Sequence, residues 1–260
     1  MKILVTGSKG YIGTAVSNYL RNNNNVTLHT REMFDLTNAG DVHKHLSTAN
    51  YDVVIHTAIK GGSRLKPDDC TVLSENLTAF YNLYDCRDYY GRLITFGSGA
   101  EYSAKHTYYG LSKRCINDIM KHDDKFINLR IYAVFDENEL PTRFIKSAIV
   151  NYAHKQDIVI HQNKYMDFFA MRDLLKLVEY FCNVSVVTNR IIDCCYDEKY
   201  TLCDIANFIN TLSDHKSKII VEQPGMGADY TGYSIQMPYI DQIGLHQGIK
   251  QVYTKLLEYA

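Results

Sequence analysis

Three glycines spaced by three, Gly7, Gly10 and Gly13, stand between a short apolar run and a helical pattern. No other feature of the chain restricts its fold as strongly. Lys2-Ile3-Leu4-Val5-Thr6 reads as a buried strand that stops at Gly7. Beyond the glycines, Ile12, Ala15, Val16, Tyr19 and Leu20 recur at helical spacing over residues 11–20. A strand, a tight glycine turn and a helix in that order form a corner that can approach a pyrophosphate. Glycine permits the sharp turn, the close approach of backbone to the anion and the packing of helix on strand. The free N–H groups of the helix N-terminus then face the negative charge.

The alternation continues. Residues 26–31, 51–57, 93–96 and 126–132 read as strands, and residues 41–46, 70–86 and 108–120 as helices. Near-continuous apolar strands such as Val53-Val54-Ile55 suit burial on both faces. Strands and helices in alternation imply βαβ crossovers, so the expected fold class is α/β, a Rossmann-type doubly wound parallel sheet. The C-terminal part is less regular. A helix is expected from Pro141 to about His154, because proline suits a first helical turn. Amphipathic residues 174–181, a Thr201-capped helix to about Leu212 and a final helix over 251–259 follow, with loops and a strand between 213 and 245. This predicts a dinucleotide-binding domain over 1–135 and a smaller substrate lobe over 136–260. Phe168-Phe169 read as core.

Composition narrows the function. Lys+Arg is 28 against Asp+Glu 29, so no positive field exists to draw the chain onto nucleic acid. No apolar stretch approaches the ~20 residues needed to span a bilayer, and the N-terminal apolar run is too short for a signal peptide. The seven cysteines lack the spacing of a metal site, which suits reduced thiols in a cytoplasmic protein.

The end of the second strand bears on the cofactor. NAD enzymes carry an acidic residue there for the ribose hydroxyls. Here the run is Leu28-His29-Thr30-Arg31, and the planar fork of Arg31 suits a 2′-phosphate. Lys9 in the glycine loop adds a second positive charge, while the neighbouring Glu32 works against it. NADP is therefore expected over NAD. Asp35 is a candidate for the adenine edge.

Of the 21 tyrosines, only Tyr109 has a lysine four residues later, Lys113. That spacing puts both on one face of the expected helix over 108–120. Ser98 follows the fourth strand, at the sheet end where α/β folds bind ligands. Hydride transfer to a carbonyl carbon requires a proton for the oxygen. A free tyrosine, with pKa near 10, is a poor acid at neutrality, and a neighbouring ammonium favours its phenolate. In this reading Lys113 tunes Tyr109, Tyr109 protonates the oxygen and Ser98 holds it. Tyr109 and Lys113 belong with the cofactor as well as the reaction.

The motifs TGSKGYIG (6–13), HTA (56–58), GSGAEY (97–102), YGLSK (109–113) and DFFAMRDL (167–174) resemble, in order, the extended short-chain dehydrogenase/reductase family. The nearest resemblance is to GDP-fucose synthases and other reductases of nucleotide-linked 4-keto sugars, carried by LHTREMFDLTNAGDVHKHL and IHTAIKGG. It implies a nucleotide-sugar substrate, NADP, a Ser-Tyr-Lys site and homodimers formed through the 70–86 and 108–120 helices. It places the cofactor against Gly7, Ser8, Lys9, Gly10, Tyr11, Ile12 and Gly13, then Thr30, Arg31, Asp35 and Leu36, then Ala58, Lys60 and Asn76. Lys60 and Asn76 read equally well as surface residues, and His56 as a packed one. Arg143 and Lys146, expected on one helix face, would hold the substrate diphosphate.

Departures from the family pattern select the reaction. The epimerising cysteine of GDP-fucose synthases is replaced by Ala100, and no histidine lies between Ala133 and Ser147. Ser98-Gly99-Ala100 lacks the carboxylates of the dehydratases. The expected activity is reduction of a nucleotide-linked 4-keto-6-deoxy sugar by NADPH. The alternatives are an NAD-dependent nucleotide-sugar 4-epimerase and a noncatalytic dinucleotide-sensing protein.

Overall fold

The computed structural model describes residues 1–63 and 66–258. Its sequence-ordered elements begin with β1 (Lys2–Thr6), α1 (Tyr11–Leu20), β2 (Asn25–Leu28), α2 (Ala39–Ala49), β3 (Tyr51–His56) and α3 (Cys70–Asp85). They continue through β4 (Tyr90–Ser98), α4 (Ala100–Ser103), α5 (Tyr108–Met120), β5 (Phe126–Ile131), β6 (Val134–Phe135) and α6 (Phe144–Ala153). The last are β7 (Ile158–Asn163), β8 (Phe169–Ala170), α7 (Met171–Asn183), β9 (Ile191–Cys194), α8 (Leu202–Ile209), β10 (Ile219–Met226) and α9 (Gly244–Glu258).

Six strands form the main sheet in the order β2-β1-β3-β4-β5-β9. The pairs β1–β2, β1–β3 and β3–β4 are parallel, as βαβ crossovers require. Chain order reverses between β1 and β3. In an open α/β sheet that reversal leaves a crevice beside the strand C-termini, where ligands bind. The sheet is a Rossmann-type α/β fold.

Contacts divide the chain into two units, Met1–Arg130 with Leu177–Ile192, and Ile131–Lys176 with Asp193–Ala260. In the first, Leu4, Val54 and Leu93 from the sheet pack with Leu46 of α2, Phe80 and Leu83 of α3 and Ile116 of α5. In the second, Ile145, Ile149 and Tyr152 of α6 pack with Ile158 and Ile160 of β7, Ile205 of α8 and Ile249 of α9. Phe168 joins this second core and Phe169 is fully buried. Here β7 pairs with β10 and β6 with β8, both parallel. Among the described residues no helix is long and apolar enough to cross a membrane.

Several expected boundaries move. The second strand ends at Leu28, so Thr30 and Arg31 lie beyond it. The fourth strand extends to Ser98. Pro141 does not open α6: Arg143 N donates to Leu140 O in a preceding turn, and Arg143, in extended backbone, is the N-cap. Thr201 caps α8 as expected, through a capping box with Asp204. The expected end of the last helix at Tyr259 lies outside the described residues.

Candidate active site

The glycine corner is built by exclusion. Gly7 has φ +67°, and a Cβ there would lie 2.5 Å from Ala58 N. A Cβ on Gly13 would lie 2.2 Å from Gly7 O, so this glycine lets α1 pack against the turn. At Gly10 the added carbon would meet only Gly7 O, at 3.3 Å. Gly10 is the N-cap of α1 and supplies no side-chain acceptor for the first-turn N–H groups. Side chains brace the turn from behind. Thr57 Oγ1 donates to Thr6 O at 2.6 Å and Gly7 O at 3.1 Å. Ser8 Oγ donates to His29 O at 3.0 Å, and Thr14 Oγ1 to Ser8 O at 3.0 Å.

In front of this corner lies an open cleft of about 810 Å³, bordered by the glycine loop, the turn after β2, the end of β3 and α3. Its volume suits a nucleotide-sized ligand. Gly7, Ser8, Lys9, Gly10, Thr30, Arg31, Asp35, Leu36, Ala58, Lys60 and Asn76 all line it. Tyr11, Ile12 and Gly13, in the first turn of α1, do not. A glycine turn with no room for a Cβ at Gly7 or Gly13, an uncapped helix N-terminus and a cleft before them fit the pyrophosphate of a dinucleotide.

Arg31 stands in an exposed turn with its guanidinium 3.8 Å from the Asp35 carboxylate. Asp35 also accepts hydrogen bonds from Thr37 N at 2.9 Å and Thr37 Oγ1 at 2.8 Å, and these hold its carboxyl below the usual range. An exposed pair of this kind contributes little to stability, so Arg31 can exchange Asp35 for another anion at small cost.

Ser98 ends β4, and its Oγ accepts from Ala100 N at 3.2 Å. α5 begins at a Thr107 cap, whose Oγ1 accepts from Gly110 N at 3.0 Å. The helix presents Tyr109 in its first turn and Lys113 one turn later. Lys113 Nζ is 5.7 Å from the Tyr109 ring centroid and donates to Phe96 O. Burial pushes the Lys113 ammonium down to about 8, partly opposed by Glu101. A small recess beside it is lined by His56, Thr95, Gly97 and Asn128.

Four expected contacts take a different form. Asn76 is buried on α3; it accepts from Lys60 N at 2.9 Å and donates to Lys60 O at 3.0 Å and Ser112 Oγ at 3.2 Å. It splices α3 to α5 and the strand end. The Lys60 ammonium is held by Thr71 and by Glu75, which also borders the cleft. Arg143 is exposed at the N-cap of α6, not on a helix face with Lys146. The Lys146 ammonium donates to Glu137 O at 2.8 Å and Glu139 O at 2.9 Å, which pins the α6 entry loop. His56 is packed as expected: its Nδ1 meets Thr6 Oγ1 at 2.8 Å, and burial lowers its pKa to about 3.

Sequence reasoning missed two features. Gly62, at φ +73°, lies so close to Tyr109 that a Cβ on it would sit 2.8 Å from the ring. The Gly61-Gly62 pair after β3 was the available signal. Glu101 on α4 is buried with Arg130 of β5, and its position beside Ser98 carried no sequence cue.

A family model described as NAD dependent epimerase/dehydratase matches residues 3–195. Among curated proteins, none matches the chain. Among solved structures, the UDP-N-acetylglucosamine 4-epimerase of Bacillus cereus is 20% identical with a TM-score of 0.78, over 99% of this chain and 96% of that one. The GDP-mannoheptose C4 reductase of Campylobacter jejuni, with NADP bound, is 18% identical with a TM-score of 0.75, over 98% of each chain. A GDP-L-fucose synthetase from Naegleria fowleri, bound to NADP, is 16% identical with a TM-score of 0.73, over 99% of this chain and 92% of that one. At these identities the structural likeness carries the fold, whereas the family model aligns with the sequence itself through the glycine corner, Ser98 and the Tyr109–Lys113 helix. The chain belongs to the NAD dependent epimerase/dehydratase family.

Proposed function

We propose that the chain is an NADPH-dependent reductase of a nucleotide-linked 4-keto-6-deoxy sugar. The observation that carries this reading is the pairing of Lys113 with Tyr109 at a strand end that has Ser98 but no second acid or base on Gly99 or Ala100. Bound NADPH supplies a hydride to the C4 carbon. Tyr109 donates its phenolic proton to the C4 oxygen, and Ser98 hydrogen-bonds that oxygen. Lys113, still an ammonium at neutral pH, stabilises the phenolate that forms on Tyr109. Arg31 and Lys9, which both line the cleft, would hold the 2′-phosphate of the cofactor. The solved reductases of similar fold carry NADP, which supports the choice. Arg143, exposed at the start of α6, remains the candidate for the substrate diphosphate; Lys146 supports its loop.

The reading extends to assembly as a homodimer through α3 and α5. Exposed Tyr81 on α3 and Tyr108 and Leu111 on α5 support this, since apolar side chains mark such faces.

The alternative is an NAD-dependent 4-epimerase, favoured by the 4-epimerase of similar fold and by Glu32 next to Arg31. A panel of nucleotide-linked 4-keto sugars with NADPH, followed at the nicotinamide absorbance band, separates the two. The reductase consumes NADPH in stoichiometric amounts with at least one member. No consumption with any member, together with interconversion of 4-hydroxy sugars in the presence of NAD, would establish the epimerase.

A further inference from the structure

Glu101 and Arg130 form an ion pair inside the first unit, Arg130 Nε to Glu101 Oε2 at 3.0 Å, with side chains only 5% and 1% exposed. Removing both charges from water costs several kcal/mol per ion, and such pairs are often replaced by apolar residues without loss of stability. Stability alone therefore does not account for this one. Its place suggests a different role. The second carboxylate oxygen, Oε1, accepts from Ser98 N at 3.0 Å. A Cβ on Gly97 would lie 2.5 Å from the same oxygen, so a glycine before Ser98 is needed to admit the carboxylate. Arg130 also stacks on Tyr102, its Cζ 4.7 Å from the ring centroid.

We propose that Glu101 is a positioning residue of this site: one oxygen anchors the Ser98 backbone, the other is locked by Arg130, and the carboxylate so fixed acts on the Lys113 ammonium. The inference rests on Ser98, Tyr109 and Lys113 acting together as proposed above. The groups that face Lys113 can be named from each element packed around it. His56 at the end of β3 is neutral, since burial holds it to about 3. Phe96 O of β4 accepts the lysine hydrogen bond, and Asn128 of β5 contributes an uncharged amide to the adjoining recess. Tyr109 lies on the same helix. Glu101, on α4, is the carboxylate that acts on Lys113; burial raises its own carboxyl above the ordinary range, opposed by Arg130 and more weakly by Lys113.

The test uses the full chain labelled with ¹³C-lysine. The Lys113 signal is identified by its loss in Lys113→Met and titrated by NMR in wild type, Glu101→Gln and Glu101→Asp. Glutamine preserves the shape but removes the charge and one of the two acceptor oxygens, so it keeps the hydrogen bond of Ser98 N or of Arg130, not both. The Lys113 midpoint is expected to fall by at least about one pH unit in Glu101→Gln, the size of effect typical of an opposite charge nearby. Aspartate keeps the charge but draws it back by one methylene, so a smaller fall is expected. The alkaline limb of the turnover profile moves with the midpoint. If Glu101→Gln does not fold, Glu101→Asp decides the matter alone. An unmoved midpoint in the folded variant overturns the proposal. Absence of NADPH turnover in wild type would instead remove the functional reading, and the titration stays readable without it.

Discussion

Gly62 lies against the ring of Tyr109, so near that any side chain at position 62 would press on the phenol. Lys113, a buried ammonium, lies 5.7 Å from the centroid of the same ring, so the phenol borders both a backbone that leaves no room and a cation. Tyr109 can then act as an acid without searching for its orientation, which is the benefit of a prearranged group.

Gly62→Ala should therefore lower turnover while Gly225→Ala does not. Both glycines have positive φ, +73° and +80°, so each substitution costs about 1–2 kcal/mol of backbone strain. Only Gly62 has a ring against it; a Cβ on Gly225 would meet nothing within 4 Å. Thermal melts are expected to show backbone strain in both variants with an added steric cost in Gly62→Ala, and kcat a loss confined to Gly62→Ala. Equal kcat in the two variants would mean that the contact with Tyr109 has no bearing on the reaction.

Arg31→Asp should shift preference from NADPH to NADH. Loss of a charge-assisted contact with the 2′-phosphate is worth roughly ten- to a hundredfold in affinity. Fluorescence titration of each cofactor measures it. Equal affinity of wild type for both cofactors would remove Arg31 from the role.

His56 makes the fold acid-sensitive. Its folded pKa lies near 3 because burial disfavours the charged ring, against an ordinary value of 6.5. Below pH 6.5 the unfolded chain takes up a proton that the folded chain refuses, so stability is full above 6.5 and falls as pH drops toward 3. Denaturant melts at pH 7 and pH 4 should show wild type losing up to about 3 kcal/mol more than His56→Asn. Parallel losses in both proteins would assign the acid sensitivity to other groups.

Ala100 cannot move a proton, and neither Ser98 nor Gly99 adds a base. Removing a proton beside a ketone requires one. Product formed in deuterated water should thus carry no enzyme-dependent deuterium at C3 or C5 by NMR. Label at either carbon above the enzyme-free control would show a base elsewhere and change the reaction to epimerisation with reduction.

Much of this was legible in the chain. The span of α5 follows from its own sequence, because Thr107 caps it and its buried residues recur at helical spacing. The glycine corner was legible because each glycine answers a local steric demand. By contrast, β6 and β8 hold two residues each, too few for a periodic signal, and exist only by pairing with one another across the chain. Arg143 and Lys146 do not share a helix face: Pro141 resembles a helix start, while the hydrogen bond of Arg143 N to Leu140 O delays α6 to Phe144. Glu101 stayed hidden for a similar reason. Its partner is 29 residues away in sequence, and only the fold brings β5 beside α4.

The central claim is that Tyr109 is the proton donor of an NADPH-dependent carbonyl reduction. It is tested most directly by single-turnover NADPH oxidation in wild type and Tyr109→Phe, with the 4-keto sugar that wild type accepts and with cofactor affinity measured alongside. The account predicts a rate lowered by ~10²–10⁴-fold with NADPH binding unchanged. A Tyr109→Phe protein that oxidises NADPH at the wild-type rate would contradict it.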